Sequence, residues 1–258
     1  YQELLPIWVT GENEGPYGAV LQTIGDAYRN LGAEETAMTY FSKALDTIER
    51  TGDEEDLASV LVNIGRTFDS MGEPEKAITH NKRGLAIAKR LSNLTVQAYA
   101  LNNLGIAFMD LERYEEAIDF FNQSILLRNA LGCPEENDGA TINIGLVYSY
   151  MGKYSQAVES LQHGLELTQD SGNILFSAYA QSNLGNVFIS IDDLDQGITC
   201  HQQALAIFQE LGLENQITGA LKLLEKVCVD AEKPLLASEY RKQLEAMPAS
   251  YAGLNPIR

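Results

Sequence analysis

Four asparagines recur at one interval. Asn63, Asn103, Asn143 and Asn183 stand forty residues apart, each two residues before a glycine. A carboxamide offers two N–H donors and an oxygen with two lone pairs, so it can bond a peptide backbone in either sense. Asn is a mediocre helix former, and its return at one register calls for a reason. Packed helices sit roughly 10 Å apart, and an extended peptide advances about 3.3 Å per residue. One amide per helix would therefore meet such a peptide at about every third residue. Each bond contributes about 0.5–1.5 kcal/mol net. The rungs would set register and direction, and apolar anchors would supply most of the affinity. The competing reading makes these amides caps or bridges between neighbouring helices. The same register holds Thr23 and Leu223 in the outermost repeats, which favours binding.

Other side chains share that face. One turn before the asparagines lie Ser59, Tyr99, Gly139 and Tyr179, and three residues after them lie Arg66, Ile106, Leu146 and Asn186. The candidate peptide-binding set is Asn63, Asn103, Asn143, Asn183, Arg66, Tyr99, Ile106, Leu146, Tyr179 and Asn186. Aromatic and aliphatic groups between amides suit a partner with apolar anchors. An equal claim is that Ile106 and Leu146 pad adjacent helices. A basic clamp for acidic tails has little support: Arg29 and Arg66 are the cations found there, with Asp26 and Asp69 beside them.

Catalytic and metal chemistry find no footing. His80, His163 and His201 fall in separate repeats and read as surface or packing residues. Cys133, Cys200 and Cys228 are odd in number and widely spaced, which fits neither a disulfide framework nor a metal site. They point to a reducing, cytoplasmic setting. No glycine-rich phosphate loop follows a strand. We expect no enzyme and no cofactor. The formal charge of −18 repels phosphate backbones and argues against nucleic acid. Apolar runs fall short of the roughly 20 residues of a membrane helix.

The elements that must carry these residues follow from the same interval. Glycines stand at 25, 65, 105, 145 and 185, each followed three residues later by Tyr28, Phe68, Phe108, Tyr148 or Phe188. Each repeat carries two helical patterns with apolar residues at i, i+3, i+4 and i+7. In the third, helix A is expected from about Ala98 to Leu111, burying Leu101, Leu104, Ala107, Phe108 and Leu111. Helix B is expected from about Tyr114 to Ala130, burying Ala117, Ile118, Phe121, Ile125 and Leu126. A mid-helix glycine costs about 1 kcal/mol against alanine, so five at one register imply a close crossing. Ala37, Ala77, Ala117, Ala157 and Gly197 are the expected partners of that crossing. The chain divides into residues 1–17, the outer helix of an incomplete preceding repeat plus a connector; 18–217, five forty-residue units; 218–247, an atypical closing repeat in which Glu225 replaces the glycine; and 248–258, a mobile tail. The half unit suggests a piece of a longer protein.

The runs Asn103-Leu104-Gly105-Ile106-Ala107-Phe108 and Tyr114-Glu115-Glu116-Ala117-Ile118 resemble the tetratricopeptide repeat, and residues 143–158 match it almost as well. The resemblance covers about 18–245. The usual period is about 34 residues. A period of forty is similar to the subclass in Pins/LGN-type adaptors, kinesin light chains and bacterial Rap-type regulators. The resemblance implies an all-α, right-handed superhelical solenoid of antiparallel helix pairs, with A helices lining a concave groove. In related families the Asn position contacts peptide backbone. The expected function is a protein–protein interaction scaffold holding an extended or short helical segment of another protein. The alternative is a regulatory or sensor domain of a longer signalling enzyme, docking a catalytic domain in cis. Self-association through the open half repeat or the tail is a further expectation.

Overall fold

The computed structural model describes residues 14–247. The half repeat expected at 1–10 and the tail at 248–258, with the self-association assigned to them, lie outside the described residues. Among those residues there are twelve α-helices and no strands. They form two compact units, divided after Pro134. The first holds α1 (Glu14–Asn30), α2 (Glu34–Thr51), α3 (Glu54–Ser70), α4 (Pro74–Arg90), α5 (Leu94–Asp110) and α6 (Tyr114–Leu131). The second holds α7 (Asp138–Tyr150), α8 (Tyr154–Ser171), α9 (Ile174–Ser190), α10 (Leu194–Glu210), α11 (Glu214–Asp230) and α12 (Pro234–Glu245). In each unit successive helices pack as pairs, an A helix against the B helix that follows it. In the first unit α3 also touches α1 and α5, and in the second α7 touches α9.

Local chemistry sets the helix boundaries. The Asn93 side chain accepts the Val96 N–H, so α5 opens at Leu94, four residues before the position read from the apolar stripe. Asp53 caps α3 in the same way, through the N–H groups of Glu55 and Asp56, and Asn173 caps α9 through Phe176. At the equivalent register the fourth repeat carries Cys133 followed by Pro134. A thiol is a poor acceptor. There a 3-10 turn, Pro134–Asn137, precedes α7, which begins only at Asp138. The A–B turns need a left-handed residue. Gly72 supplies it at φ 74°, while Glu112 is held there at φ 58° without glycine's freedom.

The bare backbone of each A-helix glycine is pressed by a large side chain from the B helix. A Cβ on Gly105 would lie 2.6 Å from the Phe121 ring, on Gly25 2.7 Å from Phe41, and on Gly145 2.6 Å from Leu161. In the other two repeats the large partners are Asn81 and His201. The small residue expected opposite is buried as well, with Ala37, Ala77, Ala117 and Ala157 at 0% exposure. The contact that forbids a side chain, however, comes four residues further along the B helix. In the closing pair the size match becomes a charge match. Glu225 replaces the glycine and accepts from Arg241 Nε at 2.6 Å.

The A stripe of α5 is buried as expected at Leu101, Leu104, Ala107 and Phe108. Leu126 corrects the expectation for α6, being 67% exposed. The buried row there is Ala117, Phe121, Ser124 and Arg128, a spacing of four, three and four that leaves Leu126 on the far side.

His201 occupies the large position of the fifth repeat at 1% exposure, and neither ring nitrogen has a partner among the described residues. Burial pushes its pKa down to about 4. The folded state therefore favours the neutral ring, and that stability is present above the unfolded value of about 6.5 and is lost as pH falls toward 4. The loss amounts to about 3 kcal/mol. His201→Phe, which restores the residue found at 41 and 121, should abolish this part of acid destabilisation in unfolding curves run from pH 7 to pH 4. Two glycine variants test the packing. Gly105→Ala should lower unfolding free energy by on the order of 1–3 kcal/mol. Gly219→Ala, where a Cβ meets nothing within 4 Å, should raise it by about 0.5–1 kcal/mol.

Candidate interaction surface

The A helices bring one face of each repeat to a common side within each unit. On α5 that face carries Tyr99, Asn102, Ile106, Met109 and Asp110; on α3 it carries Ser59, Asn63, Arg66 and Asp69; on α1 it carries Thr23, Asp26, Arg29 and Asn30. Steps of three and four residues from Tyr99 to Met109, from Ser59 to Asp69 and from Thr23 to Arg29 keep each row aligned, with Asp110 and Asn30 at its edge. Tyr99 is 47% exposed, Arg66 is exposed, and Ile106 and Met109 are half-buried.

The four asparagines differ in what they do. Asn103 is 6% exposed, and its Nδ2 donates to the Val62 carbonyl and to Asn81 Oδ1, both at 3.4 Å. It is turned into the seam between repeats and joins a buried amide pair with Asn81, whose own Nδ2 donates to the Ala77 carbonyl. Asn63 is half-buried, and its Oδ1 accepts from Arg29 Nη1 at 3.4 Å. Asn143 and Asn183 in the second unit are half-buried, and neither amide has a hydrogen bond to another described residue. Leu146 lies half-buried near Asn143 in sequence and Asn186 is exposed. Tyr179 is half-buried, its ring tilted against Phe208 of α10 at 5.8 Å. Tyr179 thus packs into the core cluster of the last repeats, whereas Tyr99 faces outward with the Arg128 guanidinium over its ring.

A run of charge crosses the first unit and carries more than its sequence suggested. Arg29 Nη2 lies 2.6 Å from Asp26 Oδ1 in an ion pair, and the Arg29 side chain is only 10% exposed. Burial, and then the neighbouring Arg66, push Arg29 below its ordinary range. Burial raises Asp26, while Arg29 and Arg66 pull it back. Asp69 is pushed up to about 7, first by burial and then by Asp110, with Arg66 opposing. Asp110 is raised by burial. Asp110 lies outside the forty-residue asparagine register, so the repeat pattern alone does not single it out. The signal was there: it stands on the same face as Ile106, one helical step along. Among the described residues no three His, Cys, Asp or Glu side chains are grouped to hold a metal.

Models of the tetratricopeptide repeat match residues 17–90 and 96–170, which together span more than half of the chain. The chain belongs to the tetratricopeptide repeat family. Its similarity to solved structures lies in the fold. BtubC (BKLC) from P. vanneervenii superposes with a TM-score of 0.71 at 18% identity, over 87% of this chain and 94% of that one. A signal transduction ATPase with numerous domains (STAND) from Pyrococcus horikoshii, carrying a tetratricopeptide repeat sensor, superposes at 0.75 and 15% identity. This chain is covered over 96% and spans 38% of that protein's length. A Rap protein complexed with competence and sporulation factor superposes at 0.75 and 12% identity, over 95% and 78% of the two chains. No curated protein sequence matches the chain. Tetratricopeptide repeats in tandem form a scaffold for protein–protein interaction. No helix among the described residues is long and apolar enough to cross a membrane.

Asp69 gives a direct test of the surface electrostatics. Its folded pKa is raised above the unfolded value of about 3.9. The group therefore contributes stability at low pH that is lost as pH rises through about 7. Asp69→Asn should raise the unfolding free energy at pH 8 by on the order of 2 kcal/mol, and the gain should vanish near pH 4.

Proposed function

We propose that the inner faces of the A helices hold an extended or short helical segment of another protein. The observation that carries this reading is the pair Asn143 and Asn183. Both occupy the same register of successive inner helices, both are partly open, and neither has a protein partner for its amide. An unpaired carboxamide on a helix face is a ready donor and acceptor for peptide backbone. In the first unit Asn63, whose Oδ1 is held by Arg29, offers its Nδ2 to the segment beside Arg66, with Tyr99 and Ile106 as apolar contacts. In the second, Leu146 and Asn186 flank the amides. Asn103 and Tyr179 act from behind, holding the helices that present the others. The Rap neighbour, whose structure holds a bound factor, supports a ligand-holding use of this fold.

Asn143→Ala combined with Asn183→Ala removes two backbone contacts. A partner recovered by pull-down should bind this variant about 5- to 150-fold more weakly, the equivalent of about 1–3 kcal/mol. Unchanged affinity would make the amides structural.

A second reading has one observation behind it. The STAND protein is described by its repeat sensor, and this chain spans 38% of its length. In that reading the same faces dock a catalytic domain in cis. A full-length reading frame with no further domain would remove it.

A further inference from the structure

The inner face of the first unit is short of one positive charge. Asp26, Arg29, Asn63, Arg66, Asp69 and Asp110 step across α1, α3 and α5. Arg29 is committed to Asp26 and Asn63. Arg66 is shared, acting on both Asp26 and Asp69. Asp110 has burial as the cause of its raised pKa and no cation opposing it. Three carboxylates thus face two guanidinium groups, and the surplus falls at the α3–α5 end.

Partly buried polar atoms on this row are also left without partners. Asp69 Oδ1 is buried with no hydrogen bond among the described residues, and so is Arg29 Nε on a side chain nine-tenths buried. Leaving such a group unpaired is destabilising. The two unmet needs have opposite sign: one wants a donor and the other an acceptor. A metal ion or a polyamine answers only the first. A peptide carrying a cationic side chain brings its ammonium or guanidinium to the half-buried Asp69 carboxylate from the side of exposed Asp110, with its backbone carbonyls along the row that holds Arg29. The surroundings fit the stem of such a side chain. Half-buried Ile106 and Met109 and exposed Tyr99 lie on the face of α5 that carries Asp110. Lysine and arginine lay their methylenes on apolar surface while the head reaches a charge.

We propose that the segment held by the first unit carries a lysine or arginine that docks between Asp69 and Asp110, with its stem against Ile106 and Met109. This rests on the reading of the inner faces as a binding surface and specifies the chemistry of the occupant. The net charge of −18 steers basic segments toward the chain over longer distances.

The probe is a displayed library of random peptides, selected at pH 7.5 on the full chain and on Asp69→Asn/Asp110→Asn. The variant relieves two desolvated carboxylates and should fold at least as stably, which unfolding curves check beforehand. We expect wild-type selections to enrich lysine or arginine at one position beside apolar residues. A synthesised winner should bind the variant at least about tenfold more weakly, and weaken with added salt. Winners without an enriched cation, or equal binding to both proteins, would overturn the inference while leaving the binding surface standing. Spermine competing as strongly as the winner would also overturn it, since charge alone would then be read. If no peptide is enriched on either protein, the binding surface falls and the inference with it.

Discussion

One contact recurs through the chain: a large side chain of each B helix lies on the bare backbone of its A helix. A Cβ at Gly25, Gly65, Gly105, Gly145 or Gly185 would stand within 3 Å of that side chain. Helices brought this close interlock over their whole length, which is what fixes the angle at which the A helix presents its other side. The interaction surface depends on that angle. The closing pair shows how much depends on the neighbours. With Glu225 and Arg241 at the same two positions, the glycine contact is replaced by an ion pair at the surface, worth about 0–1 kcal/mol, while Leu224, Cys228, Ala237 and Tyr240 keep the core of the pair buried.

The same column also sets the chemistry of each repeat. Phenylalanine at 41 and 121 fills it without polar consequences. Asparagine at 81 brings a buried amide, and that amide recruits Asn103 into the seam. Histidine at 201 brings two unpartnered nitrogens and a ring that resists protonation. Thus the residue chosen at 81 draws the amide of the next A helix away from the open face. Where the column is leucine, at 161, the amide at 183 stays unpaired.

The fold was legible because a fixed period writes the same packing constraint again and again. The glycine register and the apolar stripe of α5 both follow from it. The helix starts were less legible, since capping at Asn93 and Asp53 lies outside the apolar pattern. Leu126 was misplaced because a run of apolar letters does not say which lie on the buried row; only the spacing of Ala117, Phe121, Ser124 and Arg128 does. The site was partly legible. A period marks which residues share a face, and so groups Asn63, Arg66, Tyr99 and Ile106. It does not reveal that Asn103 meets Asn81 across a seam, or that Asp69 and Asp110 come within electrostatic reach from separate helices. Those facts belong to the stacking of repeats, which the sequence encodes only through shape.

The central claim is that a partner lies along the inner faces of the A helices. Amide hydrogen exchange and side-chain footprinting, with and without a bound segment, test it most directly. Protection should concentrate around Asn63, Arg66, Tyr99, Ile106, Asn143 and Asn183. Protection confined to the outward sides of α2, α4, α8 and α10, with those residues unchanged, would contradict it.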